Sequence, residues 1–326
     1  MFVKPAVKEK TLKKMMVCVS VATVWTKPTS PRYIDQLALN NPVDMEGWIK
    51  STTYEEQLAL CKNNLVQTQL LYGTEVFILE EKEQWAHVLI PTQPSRKDER
   101  GYPGWVPMRQ LSTPTSIFAN SKMAQVISPI VTISSTVQGL KKKSDDNGLV
   151  ISFLTRLPVV KHTTDFVEVA TPHGNGFLKA SDVRIVDQEE ELVKKRDKPI
   201  LDVAKTFVGL PYLWGGMSAF GFDCSGFVYS VYRYFGITLP RDASDQANRG
   251  EVIERENLQV GDLLFFAYEK GKGAVHHVGM YAGDDHMIHS PKTGKSIEII
   301  PLSGSSYEEE LIGGRRYANE LNSVSC

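Results

Sequence analysis

Alternating apolar and polar positions predict β-strands over most of the first 186 residues. Residues 17–112 and residues 122–186 both contain short alternating runs that are separated by turn residues. A period of two is typical of strands with one buried face, and frequent turns between such strands favour small antiparallel barrels. The chain is therefore predicted to begin with two compact all-β units.

A weak internal repeat supports this interpretation. Residues 75–90 resemble residues 156–170, because each stretch has the pattern of a strand, a short polar turn, an aromatic residue and an alternating strand. Each stretch is followed by a glycine–aromatic pair, Gly104-Trp105 in the first and Gly176-Phe177 in the second. The two units are thus expected to share one fold.

The first unit also contains an apolar N-terminal run and two insertions. The run at residues 15–25 follows several lysines, a composition that superficially resembles a signal peptide. Polar residues interrupt the run and no small-x-small cleavage site follows it, which favours a first β-strand. The run is too short for a membrane span. The insertions cover residues 32–67, with a helix predicted near 54–63, and residues 91–102.

Helical spacing begins after a charged stretch at residues 187–198, which is predicted to be a linker or the approach to a helix. Apolar residues at helical spacing then predict helices over residues 200–208 and 225–235. Cys224 comes directly before the second of these helices. The positive end of a helix dipole favours a thiolate, and the free N–H groups there can hold an oxyanion. Cys224 is therefore a candidate nucleophile.

Two histidines in a predicted β-hairpin give this cysteine a candidate base. Two strand patterns flank a glycine–aspartate turn at residues 283–285. His277 and His289 lie about equally far from that turn, so we expect them to face each other across the hairpin. One of them can act as general base to Cys224. The other can fix the tautomer of the base, as Asp does in a Ser-His-Asp triad.

The charge balance argues against two classes of partner. The chain has 37 Lys and Arg residues and 38 Asp and Glu residues, which gives a formal net charge of −1. Binding to nucleic acid or to anionic lipid needs an excess of Lys and Arg, so we expect neither partner. Four scattered cysteines without a CxxC pair favour free thiols in a reducing compartment. A cytoplasmic location is therefore favoured, with a secreted or cell-surface one left open.

A set of short motifs points to one catalytic family. The motifs are Tyr212-x-Trp214-Gly215-Gly216, Asp223-Cys224-Ser225-Gly226-Phe227, Leu239-Pro240-Arg241, Gly261-Asp262-Leu263, His277-Val278-Gly279-Met280-Tyr281 and His289. Their order resembles that of the NlpC family of papain-like cell-wall peptidases. The resemblance implies an α+β fold, with a papain-like NlpC catalytic domain preceded by two small SH3-like β-barrels. The domains are then predicted at residues 17–112 (with insertions), 122–186 and 198–326.

With its two SH3-like units, the whole chain resembles the γ-D-glutamyl-L-diamino acid endopeptidases. That resemblance implies a cysteine peptidase that acts on peptidoglycan stem peptides with a free N-terminal L-Ala and releases L-Ala-D-Glu. It implies Cys224 as nucleophile, His277 as general base and His289 as the residue that orients the base. It implies no cofactor and no metal, and we expect a monomer.

The same resemblance assigns substrate binding to Tyr102, Tyr212, Asp223, Ser225 and Ser244. Tyr212 is expected near the oxyanion, and Asp223 is expected beside the N-terminal ammonium of the substrate. Tyr102 is expected to reach over from the first barrel and close the cleft beyond the L-Ala. The alternative for Tyr102 is an ordinary exposed loop tyrosine.

Other functions remain open at the level of the sequence. One cysteine and two histidines could bind zinc, although the chain offers no short ligand pair such as CxxC. An amidase or acyltransferase on the same scaffold would share the acyl-thioester intermediate, and a wall-binding SH3-like protein would need no chemistry. The sequence does not decide between meso-diaminopimelate and L-Lys after the glutamate, or between free peptides and the intact wall.

Overall fold

Antiparallel strands make up the N-terminal part of the chain. The computed structural model describes residues 12–114, 122–141, 148–187 and 199–317. We call the first, seven-stranded sheet the N-terminal sheet. Its strands are β1 (Lys13–Val17), β2 (Val21–Trp25), β3 (Val66–Leu71), β4 (Glu75–Lys82), β5 (Trp85–Ile90), β6 (Tyr102–Pro107) and β7 (Leu111–Ser112), in the spatial order β3-β2-β6-β5-β4-β1-β7.

The prediction of one strand across residues 15–25 is wrong, because two strands occupy this run. β1 pairs with β4 and β7, whereas β2 pairs with β3 and β6. The chain bends between them, where the Cys18 amide donates to the Gln110 carbonyl at 2.9 Å. The bend allows one apolar run to supply two different parts of the sheet.

A five-stranded sheet, which we call the middle sheet, follows. Its strands and those of a separate hairpin are β8 (Met123–Val126), β9 (Ile130–Ile133), β10 (Leu149–Ser152), β11 (Arg156–His162), β12 (Phe166–Thr171), β13 (Gly174–Lys179) and β14 (Val183–Val186). The sheet order is β13-β12-β11-β8-β14, and β9 pairs with β10. The meander β11–β12–β13 matches β4–β5–β6, so the two units do share a strand–turn–strand repeat.

The expectation that each unit closes into a barrel needs correction. In the described residues the N-terminal sheet ends at β3 and β7, and the middle sheet ends at β13 and β14. The edge strand β3 does not need a partner strand, because the C-terminal part of the chain covers it. The indole N–H of Trp214 donates to the Val66 carbonyl at 3.0 Å, and the Met217 amide donates to the Gln69 side-chain oxygen at 3.0 Å.

Three helices fill the first insertion. They are α1 (Gln36–Leu39), α2 (Met45–Ser51) and α3 (Tyr54–Lys62). The helix predicted near residues 54–63 is confirmed as α3, and a reciprocal capping box between Thr53 and Glu56 starts it. The buried ring of Trp48 packs on Trp25 of β2, with 6.2 Å between the ring centroids.

The C-terminal part combines helices with a six-stranded sheet, which we call the C-terminal sheet. The helices and strands of the C-terminal part are α4 (Ile200–Lys205), β15 (Met217–Ser218), β16 (Gly221–Phe222), α5 (Cys224–Tyr234), α6 (Ala243–Gln246), β17 (Glu251–Ile253), β18 (Leu263–Ala267), α7 (Tyr268–Gly271), β19 (Val275–Gly283), β20 (His286–His289), β21 (Glu298–Pro301) and β22 (Leu311–Arg316). The sheet order is β17-β22-β18-β19-β20-β21. Strands and helices together confirm the α+β class.

Helix α5 is the centre of the largest apolar core. It packs on β19, and the buried side chains of Phe227 and Val231 belong to the same cluster as Phe265 and Met280 of the C-terminal sheet. These apolar residues recur at the helical period, which explains why the sequence pattern predicted this helix. The same cluster includes Phe153 from the middle sheet region, so the core continues across the units.

A glycine turn lets the C-terminal part approach the N-terminal sheet closely. Gly215 has φ +75°, a left-handed conformation that favours glycine. A Cβ atom at Gly215 would lie 2.6 Å from a methyl carbon of Val66. Further along, the Ala219 amide donates to the Ser152 hydroxyl at 2.8 Å. Gly215 is therefore required for packing between the units, whereas a Cβ atom at Gly216 would meet the Gly221 carbonyl oxygen, at 2.3 Å, within the C-terminal part.

Some sequence expectations fall outside the described residues. Most of the predicted linker, from residue 188 to residue 198, is among them, as are residues 318–326. The domain boundaries therefore stay predictions. Among the helices of the described ranges, none is long and apolar enough to cross a membrane.

Candidate active site

Cys224 is the first residue of α5, and its neighbours explain why the helix begins there. Asp223 has extended backbone angles, and its carboxylate accepts a 2.6 Å hydrogen bond from the Gly226 amide. This is the usual arrangement of an N-cap residue. The cap places Cys224 at the N-terminal end of a buried helix, where backbone N–H groups lack helical partners.

Arg241 holds the capping carboxylate in a buried ion pair. Its guanidinium donates to both oxygens of Asp223, at 3.1 and 2.7 Å, and to the Ser225 hydroxyl at 2.8 Å. Its Nε donates to the Thr68 hydroxyl of β3 at 2.8 Å. Although burial opposes the charge, Asp223 raises the pKa of Arg241 above its usual value. The pair fixes the start of α5 and ties it to the N-terminal sheet.

The two predicted histidines are in direct contact. Nε2 of His277 on β19 lies 2.8 Å from Nδ1 of His289 at the end of β20, and both side chains are buried. Asp284 and Asp285 adopt positive φ in the turn between the strands, which confirms the predicted hairpin. If His277 donates from Nε2, its Nδ1 carries the free lone pair that a general base needs.

The outer nitrogen of His289 faces an acidic side chain. Its Nε2 lies 3.7 Å from a carboxylate oxygen of Glu298, and it is buried without a hydrogen-bond partner in the part of the chain that the structure describes. A proton on this nitrogen leaves Nδ1 free to accept from His277. The surroundings of His289 therefore favour the tautomer that orients His277.

Tyr307 covers the histidine pair, and the sequence analysis missed it. Its ring stacks on His277 with 5.1 Å between centroids, and it meets His289 edge-on at 5.1 Å. It also packs edge-on against Phe266 at 5.2 Å. Tyr307 lies in a turn-rich segment without a periodic pattern, so nothing local to the sequence marked it.

Burial keeps the thiol and the imidazoles uncharged. Burial, followed by the nearby Asp223 carboxylate, raises the pKa of Cys224 to about 12, although backbone N–H groups of Val278 and Ser225 favour the thiolate. Burial lowers the pKa of His277 well below its usual value and that of His289 to about 4. The helix terminus alone thus does not produce a thiolate, because the desolvation effect is larger.

A second polar cluster lies where the N-terminal sheet meets α6. The hydroxyl of Tyr102 donates to a carboxylate oxygen of Asp242 at 3.1 Å, and Tyr102 itself is buried. The Lys97 ammonium donates to the Tyr102 hydroxyl and to the side-chain oxygen of Gln67, the latter at 2.5 Å. It lies 3.5 Å from the other Asp242 oxygen. The oxygens of Gln67, Tyr102 and Asp242 thus surround one ammonium group, and we call them the acceptor cluster.

The remaining predicted residues are Tyr212, Ser225 and Ser244. Tyr212 is buried, and burial raises the pKa of Tyr212 well above its usual value. The Ser225 hydroxyl donates to Asp223 at 3.2 Å. The Ser244 hydroxyl accepts from the Arg96 guanidinium at 3.0 Å, so the second insertion covers it.

Sequence reasoning thus missed five residues of the two clusters: Gln67, Lys97, Arg241, Asp242 and Tyr307. Arg241 did belong to one of the quoted motifs, but its type alone gave no hint of a buried partner. Within the described residues, no group of three or more His, Cys, Asp or Glu side chains is placed to bind a metal ion.

Comparisons with known proteins agree with this architecture. Residues 209–316 match the NlpC/P60 family, and residues 134–185 match the YKFC SH3b2 domain. The Gamma-D-glutamyl-L-lysine dipeptidyl-peptidase of Bacillus subtilis is 44% identical over 92% of this chain and 98% of its own length. The protein of the same name from Bacillus cereus is 41% identical over 97% of this chain and 94% of its own length.

A solved structure extends the similarity to three dimensions. The crystal structure of an NlpC/P60 family protein from Bacillus cereus has a TM-score of 0.87 at 41% identity, and the match covers 94% of this chain and 99% of that one. Fold and site therefore define a cysteine peptidase with an SH3-like domain upstream of its catalytic domain. The chain belongs to the NlpC/P60 family.

Replacing Tyr307 by Ala should lower kcat about tenfold with little change in KM, because the histidine pair loses the ring that orients it. Replacing it by Phe keeps the ring and should keep kcat within about twofold of the wild type. Steady-state kinetics of both variants, beside their urea unfolding curves, measure this effect. An equal loss in both variants would point to the hydroxyl and contradict a role for the ring.

The buried histidines should make stability depend on pH. Between pH 6.5 and about 4 the unfolded chain binds protons at these positions and the folded chain does not, because the folded pKa of His289 is about 4. The free energy of unfolding should therefore fall by about 2–3 kcal/mol from this residue as the pH drops through that window. Urea unfolding at pH 7.5 and 4.5 measures the change.

A His289→Asn variant provides the matched control for that measurement. Asn still offers an acceptor to His277 but does not titrate. Its stability should therefore depend less steeply on pH than that of the wild type. If both proteins lose stability equally as the pH falls, His289 binds its proton as readily in the folded chain as in the unfolded chain. That result would refute the lowered pKa of His289 in the folded protein.

Proposed function

We propose that this protein hydrolyses the γ-D-glutamyl–L-lysine bond of peptidoglycan stem peptides that carry a free N-terminal L-Ala. The products are L-Ala-D-Glu and the lysine-containing remainder. The observation that carries the proposal is the acceptor cluster, in which Gln67, Tyr102 and Asp242 hold the Lys97 ammonium. Asp242 follows Arg241, whose guanidinium pairs with Asp223 directly before Cys224. The names of the two Bacillus relatives support L-Lys after the glutamate.

The first half of the reaction forms an acyl-enzyme. The Cys224 thiol gives its proton to Nδ1 of His277 as the sulfur attacks the γ-carbonyl carbon of D-Glu. Free N–H groups at the start of α5 hold the oxyanion, and Tyr212 lies beside them. Because the resting thiol and imidazole are both neutral, this transfer belongs to the attack on bound substrate and needs no stored thiolate.

The second half releases the products. His277 returns the proton to the lysine amine as the C–N bond breaks, and a thioester joins Cys224 to L-Ala-D-Glu. A water molecule then gives a proton to His277 and attacks the thioester, which frees the dipeptide and restores the thiol. His289 accepts from Nε2 of His277 throughout and stabilises its positive charge.

Asp242, rather than Asp223, is the proposed carboxylate for the substrate ammonium. The sequence analysis expected Asp223 in this role, but the carboxylate of Asp223 is shared among Arg241, the Gly226 amide and the Gly215 amide. Asp242 is the next residue after Arg241, and 31% of its side chain is exposed. Asp223 is then the helix cap beside the nucleophile.

A requirement for a free amine suits a recycling enzyme. Stem peptides in the intact wall have an acylated L-Ala and would bring no ammonium group to the acceptor cluster. We therefore propose that the protein is a monomer that degrades released peptides in the cytoplasm. The free thiols of Cys18, Cys61 and Cys224 are compatible with a reducing compartment.

Replacing Cys224 by Ala should abolish cleavage of L-Ala-γ-D-Glu-L-Lys, since the proposed thioester forms on the Cys224 sulfur. Chromatography of the released L-Ala-D-Glu measures turnover, and circular dichroism tests the fold. A Cys18→Ala variant removes a buried thiol from the N-terminal sheet region and should keep kcat close to that of the wild type. Turnover by a folded Cys224→Ala protein would rule out the mechanism, and wild-type enzyme that leaves this tripeptide uncut would rule out the function.

Replacing Asp242 by Asn should raise KM for L-Ala-γ-D-Glu-L-Lys about ten- to a hundredfold, because a hydrogen bond to a charged group is lost. The N-acetylated tripeptide, a poor substrate without an ammonium, should be cleaved equally slowly by both proteins. An Asp202→Asn variant on the exposed side of α4 is the charge-matched control. Equal changes for both peptides would contradict ammonium recognition by Asp242.

A further inference from the structure

Lys97 fills the acceptor cluster with a cation from the protein itself. Its ammonium contacts Gln67, Tyr102 and Asp242, and it lies over the Tyr102 ring, 4.1 Å from the centroid. A lysine ammonium and a peptide α-ammonium have the same charge and the same three N–H donors. The group that this cluster accepts from Lys97 is thus the group that it would accept from the N-terminus of a peptide.

We propose that Lys97 is a competitor that occupies the ammonium position of the empty site and must be displaced by the α-ammonium of the substrate. The proposal rests on the function proposed above, and it adds a competitor to that site. Two cations cannot share these oxygens, since like charges at this separation repel each other. Binding of a free-amine peptide is therefore an exchange of one ammonium for another.

The surroundings allow Lys97 to leave by rotation of its side chain. Its side chain is 41% exposed, so the ammonium can turn into solvent. Burial lowers the pKa of Lys97 in spite of the Asp242 carboxylate, so the ammonium is held less favourably than in water. The loop itself stays anchored next to it, because the backbone amide of Arg96 donates to Asp245 at 2.9 Å.

Exchange affects free-amine and acylated peptides differently. A peptide with an α-ammonium replaces Lys97 and keeps Asp242 paired. An N-acylated peptide brings no cation, so it must either bind beside Lys97 in a smaller space or displace it and leave Asp242 unpaired, which is costly near a protein interior. The acylated peptide is therefore expected to bind beside Lys97, so that Lys97 weakens its binding by less than it weakens binding of the free-amine peptide.

The opposite role for Lys97 has the opposite signature. If its ammonium paired with the α-carboxylate of D-Glu in the bound peptide, removing it would weaken binding. Competition predicts tighter binding of the free-amine peptide. The sign of the change therefore separates the two roles.

The experiment compares Lys97→Met with the wild type on two peptides. L-Ala-γ-D-Glu-L-Lys carries the ammonium, and propionyl-γ-D-Glu-L-Lys has the same shape without it. We expect KM for the first peptide to fall about three- to tenfold with kcat unchanged, which corresponds to the loss of one partly exposed charge contact. The KM for the propionyl peptide should not fall by the same factor. Lys97→Arg keeps a cation and should not lower KM, and Lys82→Met, on exposed β4, controls for net charge.

Binding to a catalytically inactive protein separates this proposal from the proposed reaction. Calorimetry with the dipeptide L-Ala-γ-D-Glu on Cys224→Ala, with and without Lys97→Met, needs no turnover. A Kd that falls about three- to tenfold on removal of Lys97 supports competition, even if the tripeptide is not cleaved. An unchanged or higher Kd, no detectable binding by either protein, or an equal drop in KM for both tripeptides, would overturn it.

Discussion

The buried ion pair between Arg241 and Asp223 is the contact on which the rest of the site depends. Breaking such a pair by removing one partner typically costs about 3–5 kcal/mol, because the other charge stays buried. Here each charge has further partners: Asp223 caps α5, and Arg241 reaches Ser225 and Thr68. The pair therefore fixes the nucleophile's helix and joins it to the N-terminal sheet.

That joint also explains how two distant parts of the chain form one substrate site. Thr68 and Gln67 are neighbours on β3, and Arg241 and Asp242 are neighbours before α6. The Thr68–Arg241 hydrogen bond therefore brings Gln67 close to Asp242, where both contact the Lys97 ammonium. The nucleophile and the proposed ammonium site are thus positioned by the same network.

Burial gives the site its resting chemistry. The thiol and both imidazoles are neutral because desolvation outweighs the helix terminus and the backbone donors. The histidine pair is held by a 2.8 Å contact and by the ring of Tyr307. In this arrangement His277 is already oriented before substrate binds. Its imidazole becomes positively charged only when it accepts the proton of Cys224.

The sequence by itself determined the elements whose pattern is local. Helical spacing after Cys224 and the turn between the strands of His277 and His289 were sufficient for α5 and for the hairpin, and ordered motifs identified the family. Local patterns could not reveal the bend between β1 and β2 or the open edge of β3, since both depend on which strands pair.

Only the tertiary structure decided the acceptor cluster and the protonation states. Tyr102 and Asp242 are 140 residues apart, and Thr68 and Arg241 are 173 apart, so no spacing rule connects them. The raised pKa of Cys224 likewise comes from packing around the thiol, which a helix start in the sequence does not report. The amino-acid sequence determined which reactive and charged side chains are present. Long-range packing determined which of these side chains are in contact and which are neutral.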